Sequence, residues 1–489
     1  MSEKKVFVTT AIDYVNAKPH IGHALEKIQA DVLVRWNRDS LRNSTYFLSG
    51  TDENGLKNVQ TAKAENMPVK KYVDRNSTYF TALKSMLNLT YDQFIRTTEA
   101  KHFEGSQKLW KAFKPEDICK KKYKGLYCVG CEEFKTEKDL VDGKCPEHNC
   151  PPEAVEEENY FFKLSNYQEQ ILDLIRTDKV KILPEYRKNE VINFIESGLN
   201  DLSISRSAER VENWGVPVPG DDSQIMYVWI DALANYITAL DYDKNGELFE
   251  KYWLNGNERI HIVGKGILRF HAIYWIAMLL SAGLPLPTAV LSHEYLTING
   301  KKISKSLGNV INPEEVVEKY GVDGARYVLL TSLPWSKDGD ITWERMSEKY
   351  ASDLSNNIGN LVQRTIAMIK KYDVKVESPE SKVHKVEGED NNFFNESEFK
   401  EEIESLKMEL ALKRVIASAQ SLNQYIDENK PWSLAKTDME KCTEVLNNVR
   451  DNLIYLSDFI MPFMPEAGKG MKKQLETLEP EPLFPRIEK

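Results

Sequence analysis

Three times along this chain a short apolar run passes through a polar loop into a segment of helical period. That alternation limits the fold more than any other feature. It begins at "KKVFVTTAI" (4–12), a buried-strand pattern, and crosses the loop "DYVNAKP". The segment "HIGHALEKIQADVLVRWNRDS" follows, where Ile21, Leu25, Ile28, Val32, Leu33 and Trp36 recur at helical spacing. The chain then returns to a strand in "TYFLSG" and a loop in "TDENG". "QIMYVWIDALANYITAL" and "ERIHIVGKGILRFHAIYWIAMLLSAG" repeat the strand-to-helix pattern, and "TAVLSHEYLTING" reads as a third strand of that half. Strands alternating with helices predict an α/β fold with a doubly wound, Rossmann-like parallel sheet. Ligands in such sheets bind at the carboxyl ends of strands, which is where "DYVNAKPHIGH" and "GTDENG" fall.

The alternation is interrupted and then replaced. Short β-like pieces around a Cys-rich stretch read as an insertion, and from about residue 350 the pattern is helical. The helices are broken by the acidic, Pro- and Ser-bearing "DVKVESPESKVHKVEGEDNNFFNESE", a connecting segment. The expected division is a first catalytic half (1–114), a zinc-bearing insertion (115–222), a second catalytic half (223–330), a connecting segment (331–350) just after the lysine loop, and an all-α helical bundle (351–489). A chain of 489 residues is too long for one ordinary core. Net charge is −10, which argues against indiscriminate coating of nucleic acid but leaves room for a local basic groove. No apolar run approaches the ~18 residues of a membrane span, and the N-terminus lacks a signal-peptide pattern. Six cysteines, four of them clustered, fit a reducing compartment and a metal site, so the expected location is the cytoplasm.

Two short motifs carry chemistry. His20-Ile21-Gly22-His23 lies at a loop-to-helix junction, where free backbone N–H groups and the helix dipole favour an anion. Gly22 permits close approach of a ligand to the backbone. Taken alone, the two histidines could equally be local hydrogen-bonding residues of a helix start. "KKISKS" (301–306) sets Lys302 and Lys305 beside Ser304 and Ser306 in a loop after a strand, able to bring ammonium charge to a phosphate chain or simply to form a solvated basic turn. The α/β pattern places both motifs at one sheet edge.

Together with "AIDYVNAKPHIGHA", "FLSGTDENG", "EENYFF", "NWGVPVPGDDSQIMYVWIDAL", "GILRFHAIYW", "KISKSLGN", "NIGNLVQR" and "NKPW", these motifs make the chain similar to the methionyl-tRNA synthetases, a family of class I aminoacyl-tRNA synthetases, from about residue 5 to about 465. The resemblance implies a methionine–tRNA ligase: ATP-dependent formation of methionyl-adenylate with release of pyrophosphate, then transfer to the 3′ end of tRNA(Met). It assigns ATP contacts to His20, Gly22, His23, Gly264, Lys302, Ser304 and Lys305, with His20, His23, Lys302 and Lys305 acting on the phosphates, accompanied by Mg²⁺. It assigns the methionine pocket to Ile12, Tyr14, Asp52, Trp229, Ala232, Tyr236, Ile267 and His271, with Asp52 holding the amino group. The spacing of Trp229, Ala232 and Tyr236 puts them on one helix face, as it would also for plain core residues. Asn360 and Arg364 on one helix face, with Trp432 as a stacking residue, would read the anticodon.

Two positions depart from the family pattern. Asn54 stands for a histidine in "GTDENG", and Gly266 for an aspartate in "GKGI". They give a catalytically retired, RNA-binding relative its only support. Cys128-x2-Cys131, thirteen residues, then Cys145-x2-His148 has zinc-knuckle spacing, with Cys150 as the alternative fourth ligand. The zinc is expected to be structural. A helical ending with no appended barrel leads to an expectation of a monomer.

Overall fold

The computed structural model describes residues 3–129, 133–135, 137–146, 149–303, 308–334, 336–376 and 393–487. Ser304, Lys305, Cys131 and His148 lie outside them, as does most of the acidic connecting segment. The chain forms two compact units: residues 1–19, 42–84 and 90–293, and residues 20–41, 85–89 and 294–489.

The first unit is built on a seven-stranded, all-parallel sheet. Its strands are β1 (Lys5–Thr10), β2 (Asp13–Tyr14), β3 (Ser44–Asp52), β4 (Gln93–Arg96), β5 (Lys181–Leu183), β6 (Glu258–Gly264) and β7 (Ala289–His293). Their order is β2-β3-β1-β6-β7-β5, with β4 also pairing β3. β1 is wholly buried beyond Lys5, so its run of Val6, Phe7 and Val8 is apolar on both faces, as a central parallel strand requires. The β1/β6 register sets Thr9 beside His261. Helices α2 (Ala100–Ala112) and α3 (Val228–Thr238) pack here, and one large core takes in Phe7, Leu48, Leu109, Tyr236, Trp253 and Trp275. The expected insertion (115–222) forms a four-stranded antiparallel sheet, with Ile118–Cys128 paired along its length to Glu153–Phe162, but it is not wholly separate, because Lys181–Leu183 within that range is β5 of the parallel sheet.

The second unit contains α1 (Ile21–Arg35), α4 (Pro313–Ser332), α5 (Asn360–Lys371), α6 (Met408–Asn429) and α7 (Met439–Ile460). It also holds a small three-stranded sheet from 296–298, 301–302 and 339–340. The single strand expected over "TAVLSHEYLTING" is therefore two. β7 ends at His293, and Leu296–Ile298 pairs instead with Gly339–Asp340. Asp338 takes the Tyr295 N–H at 2.9 Å and Tyr295 O takes the Gly339 N–H, which fixes the strand after the break. The second unit is stitched by a buried ion pair. Arg326 on α4 meets Asp31 on α1 at 2.8 Å and donates to the carbonyls of Leu87, Pro462 and Phe463. No helix among the described residues is long and apolar enough to cross a membrane.

Candidate active site

α1 begins with a reciprocal cap made by two histidines. His20 is the cap residue, extended at φ −117°, and its Nδ1 accepts the Gly22 N–H at 3.0 Å. His23 Nδ1 in turn accepts the His20 N–H at 3.0 Å, as glutamate or glutamine does in the usual capping box. With both Nδ1 atoms accepting, each neutral ring carries its proton on Nε2. The rings lie 3.9 Å apart at 35°. Burial, and then the Lys27 charge, hold His23 down at about 3, so it stays neutral at working pH. Gly22 is demanded by the cap: a Cβ there would come within 2.8 Å of His20 Cε1. Local hydrogen bonding and a donor role are thus compatible, because the first uses Nδ1 and leaves the proton on Nε2.

The lysine loop belongs to the same unit. Lys302 is exposed at the end of its strand, its ammonium 5.4 Å from the Tyr295 ring centre. Asn309 closes the loop's base by donating to Lys302 O at 3.1 Å. Ile21 N–H donates to Ile311 O at 3.2 Å, so the first turn of α1 is fastened to the chain leaving the loop. The loop follows a strand of the small mixed sheet, not of the parallel sheet.

The first unit carries a small cavity at the carboxyl ends of its strands. Ile12, Tyr14 and Asp52 reach it from the ends of β1, β2 and β3, and Trp229, Ala232 and Tyr236 from one face of α3. Ile267 and His271 close it from the segment after β6. All eight residues assigned to the amino-acid pocket therefore meet. Gly264 is the last residue of β6, immediately before the turn that carries Gly266 and Ile267.

The pocket's polar groups are ordered by hydrogen bonds. His271 Nδ1 lies 2.9 Å from Ile267 O, a carbonyl that can only accept, so in the neutral ring Nε2 is the acceptor and Tyr236 O–H donates to it at 2.7 Å. Trp229 stacks on Phe270 with centroids 3.8 Å apart and planes at 12°. Leu233 and Asn235 also line the cavity. Sequence reasoning missed both, together with Phe270. Asn235 falls on the Trp229–Ala232–Tyr236 helix and was within reach of that periodicity.

Asn54 is buried and bridges the loop after β3 to α3: its amide donates to Asp231 Oδ2 at 3.1 Å. Asp231 also faces His102 Nε2 at 3.7 Å, and His102 Nδ1 pairs with Thr238 Oγ1 at 2.8 Å. Burial raises the Asp231 carboxyl, while His102 and Asn54 oppose that shift. The side chain at 54 therefore joins the loop that follows Asp52 to the helix bearing Trp229.

Of the metal candidates, Cys128, Cys145 and Cys150 are described. Cys145 N–H donates to Cys150 O at 2.9 Å and Asn149 N–H to Cys145 O at 2.7 Å, a tight turn. The Cys150 thiol hydrogen-bonds with Cys128; burial, the Cys128 contact and nearby Cys145 push it up. Among the described residues no group of three His, Cys, Asp or Glu side chains forms a ready metal site. The soft thiol donors fit zinc in kind. In the helical part, Arg364 lies 5.3 Å from the Trp432 ring and pairs with Asp427 at 2.7 Å. Trp432 is 38% exposed, and Asn360 is exposed one turn from Arg364 on α5.

A parallel sheet with a small aromatic-walled cavity at its strand ends, and a histidine-capped helix fastened beside a lysine loop, define a class I tRNA synthetase. The family model described as tRNA synthetases class I (M) matches residues 6–153 and 148–366. The chain is 42% identical over 487 residues to a methionine–tRNA ligase of Caldanaerobacter subterraneus subsp. tengcongensis, covering 98% of this chain and 75% of that one. It is 41% identical over 479 residues to the methionine–tRNA ligase of Brucella suis biovar 1, covering 96% and 92%. The structure of Mycobacterium tuberculosis methionyl-tRNA synthetase in complex with methionyl-adenylate superposes with a TM-score of 0.86 at 35% identity, covering 99% of this chain and 98% of that one. The chain belongs to the methionine–tRNA ligase family. Relatives of this kind favour catalysis over the inactive RNA-binding alternative.

Proposed function

We propose that this chain activates methionine through the residues assembled above and esterifies it to tRNA(Met). The observation that supports this most is the single cavity in which Asp52 meets Trp229, Tyr236 and His271. The thioether side chain packs against the aromatic walls, since sulfur sits well against rings. Asp52 takes the α-ammonium by a charge-assisted bond. A carboxylate oxygen of methionine then attacks the α-phosphorus of ATP. The bond from that phosphorus to the bridging oxygen breaks, and pyrophosphate leaves with the electron pair.

Such a step needs positioning and charge stabilisation more than acid–base help. His20 and His23 donate from Nε2–H, and Lys302 and Lys305 add ammonium charge, most strongly as the leaving pyrophosphate separates. Gly22, Gly264 and Ser304 are the remaining nucleotide contacts in this reading. Magnesium accompanying the phosphates would supply further charge neutralisation. In the second step a ribose hydroxyl at the tRNA 3′ end attacks the acyl carbon and AMP leaves. Asn360, Arg364 and Trp432 meet the anticodon by edge contacts and stacking.

Cys128, Cys131 and Cys145, with His148 or Cys150, would hold a structural zinc that cross-links the insertion. The enzyme works as a monomer in the cytoplasm in this proposal. Exchange of labelled pyrophosphate into ATP tests the activation step. Methionine is expected to drive it, and exchange driven only by another amino acid would overturn the substrate assignment. Metal analysis of freshly purified protein is expected to give about one zinc per chain; none would overturn the knuckle.

A further inference from the structure

Behind the methionine pocket lies a second histidine whose role the reaction above does not use. His261, on β6, is fully buried. Its Nδ1 is 2.8 Å from Thr9 Oγ1 on β1, and Trp275 Nε1–H donates to its Nε2 at 3.2 Å. An indole nitrogen can only donate, so Nε2 must hold a lone pair, the proton sits on Nδ1, and Nδ1–H donates to Thr9. One tautomer of the neutral ring satisfies both partners; the protonated ring would keep the bond to Thr9 but lose the lone pair that accepts from Trp275. Burial, with His271 and Arg259 adding to it, keeps this imidazole far below its ordinary range.

The fixed ring supports another ring. Tyr236 lies on His261 with centroids 4.1 Å apart and planes at 31°, and Trp253 lies near-parallel at 6.3 Å. Tyr236 is the pocket residue whose hydroxyl donates to His271. Each element tied by His261 also delivers a pocket wall: β1 leads to Ile12, β6 to Ile267, and the helix bearing Trp275 starts at His271's turn.

We propose that His261, locked as its Nδ1–H tautomer by Thr9 and Trp275, is a positioning residue for methionine recognition that acts through Tyr236. It is not a catalytic residue, since it is fully buried and does not line the cavity. The inference rests on the assignment of the Tyr236 cavity to methionine. A residue that only shapes the pocket affects ground state and transition state alike, so its loss raises the methionine KM and leaves kcat nearly constant.

The experiment is pyrophosphate exchange by full-length Thr9→Val, Thr9→Ser, His261→Phe and Tyr236→Ala, with methionine and ATP varied separately. Thr9→Val leaves the buried Nδ1–H without its acceptor, and loss of one such bond corresponds to about a fivefold to tenfold change. Thr9→Val and His261→Phe are expected to raise the methionine KM by about that factor, with kcat and the ATP KM within about twofold. Thr9→Ser, which keeps the hydroxyl, is expected to restore it. A structural defect alone would instead lower the amount of active enzyme at unchanged KM. In a Tyr236→Ala background, Thr9→Val is expected to add nothing further. Additive effects there, or a methionine KM indifferent to Thr9→Val and His261→Phe while Tyr236→Ala raises it, overturn this inference alone. If Tyr236→Ala leaves the methionine KM unchanged, the pocket assignment fails and this inference falls with it.

Discussion

The histidine cap of α1 makes stability depend on pH in a way that one substitution isolates. His23 accepts the His20 N–H through Nδ1, and that lone pair is lost if the ring is protonated. Burial, then Lys27, lowers its folded-state value to about 3 from an ordinary 6.5. The unfolded chain therefore takes up a proton that the folded chain refuses. The stabilisation is fully present above pH 6.5 and is lost progressively as pH falls toward 3. Between pH 7.5 and 5.5 the unfolded state gains nearly one proton at this site, which by linkage is ~1.4 kcal/mol. His23 keeps some exposed surface, so solvent screening reduces this to about 1 kcal/mol. The comparison is His23→Gln, because glutamine three residues past the cap can still accept the His20 N–H but does not titrate. Urea unfolding of both proteins at the two pH values, read at the transition of the unit containing α1, gives a difference of differences that cancels the other histidines. Wild type is expected to lose about 1 kcal/mol more than His23→Gln on acidification, with equal m-values. Parallel losses in the two proteins would refute the claim that His23 is held neutral in the fold. The same neutrality means that acidification into the pH 6 range does not strengthen ATP binding through His23.

Three further outcomes follow from particular contacts. Gly22→Ala places a methyl 2.8 Å from His20 Cε1, so the ring must move; a capping loss of ~1 kcal/mol and a rise of about tenfold or more in the ATP KM are expected by thermal unfolding and pyrophosphate exchange. Asn54→Ala removes a donor from the buried Asp231 carboxylate; a loss of about 1–3 kcal/mol in stability, with a raised methionine KM, is expected from unfolding and kinetics. Arg326→Met strips the 2.8 Å partner from Asp31 and three carbonyls of their donor; because Arg35 still holds Asp31 at 2.7 Å, a cost near ~3 kcal/mol is expected by calorimetry, and Arg326→Lys, lacking the fork, recovers only part of it.

What the sequence made legible was whatever is written locally. Strand runs such as Val6–Val8 and the i, i+3, i+7 face of Trp229, Ala232 and Tyr236 are properties of adjacent residues, and the structure has them as a central parallel strand and one face of α3. The lysine loop's sheet was not legible, because "TAVLSHEYLTING" has one strand's composition throughout and its break depends on Asp338 and Gly339, more than forty residues on. Asn54 read only as a departure from the family pattern, because its partner Asp231 is 177 residues away. His261 drew no attention for the same reason: its acceptor Thr9 is 252 residues distant and its tautomer is decided by an indole on another element. The family resemblance filled part of this gap, since it identified which distant residues converge on the pocket. It could not say how their hydrogen atoms are distributed. That distribution determines what the histidines do. At the start of α1 both Nδ1 atoms are spent on the helix, so donation must come from Nε2. In the pocket His271 accepts from Tyr236, and beneath it His261 donates to Thr9. Four histidines of one sequence class thus divide into two tautomers by the partners each fold position offers, and each tautomer fixes which neighbour can move without disturbing the site.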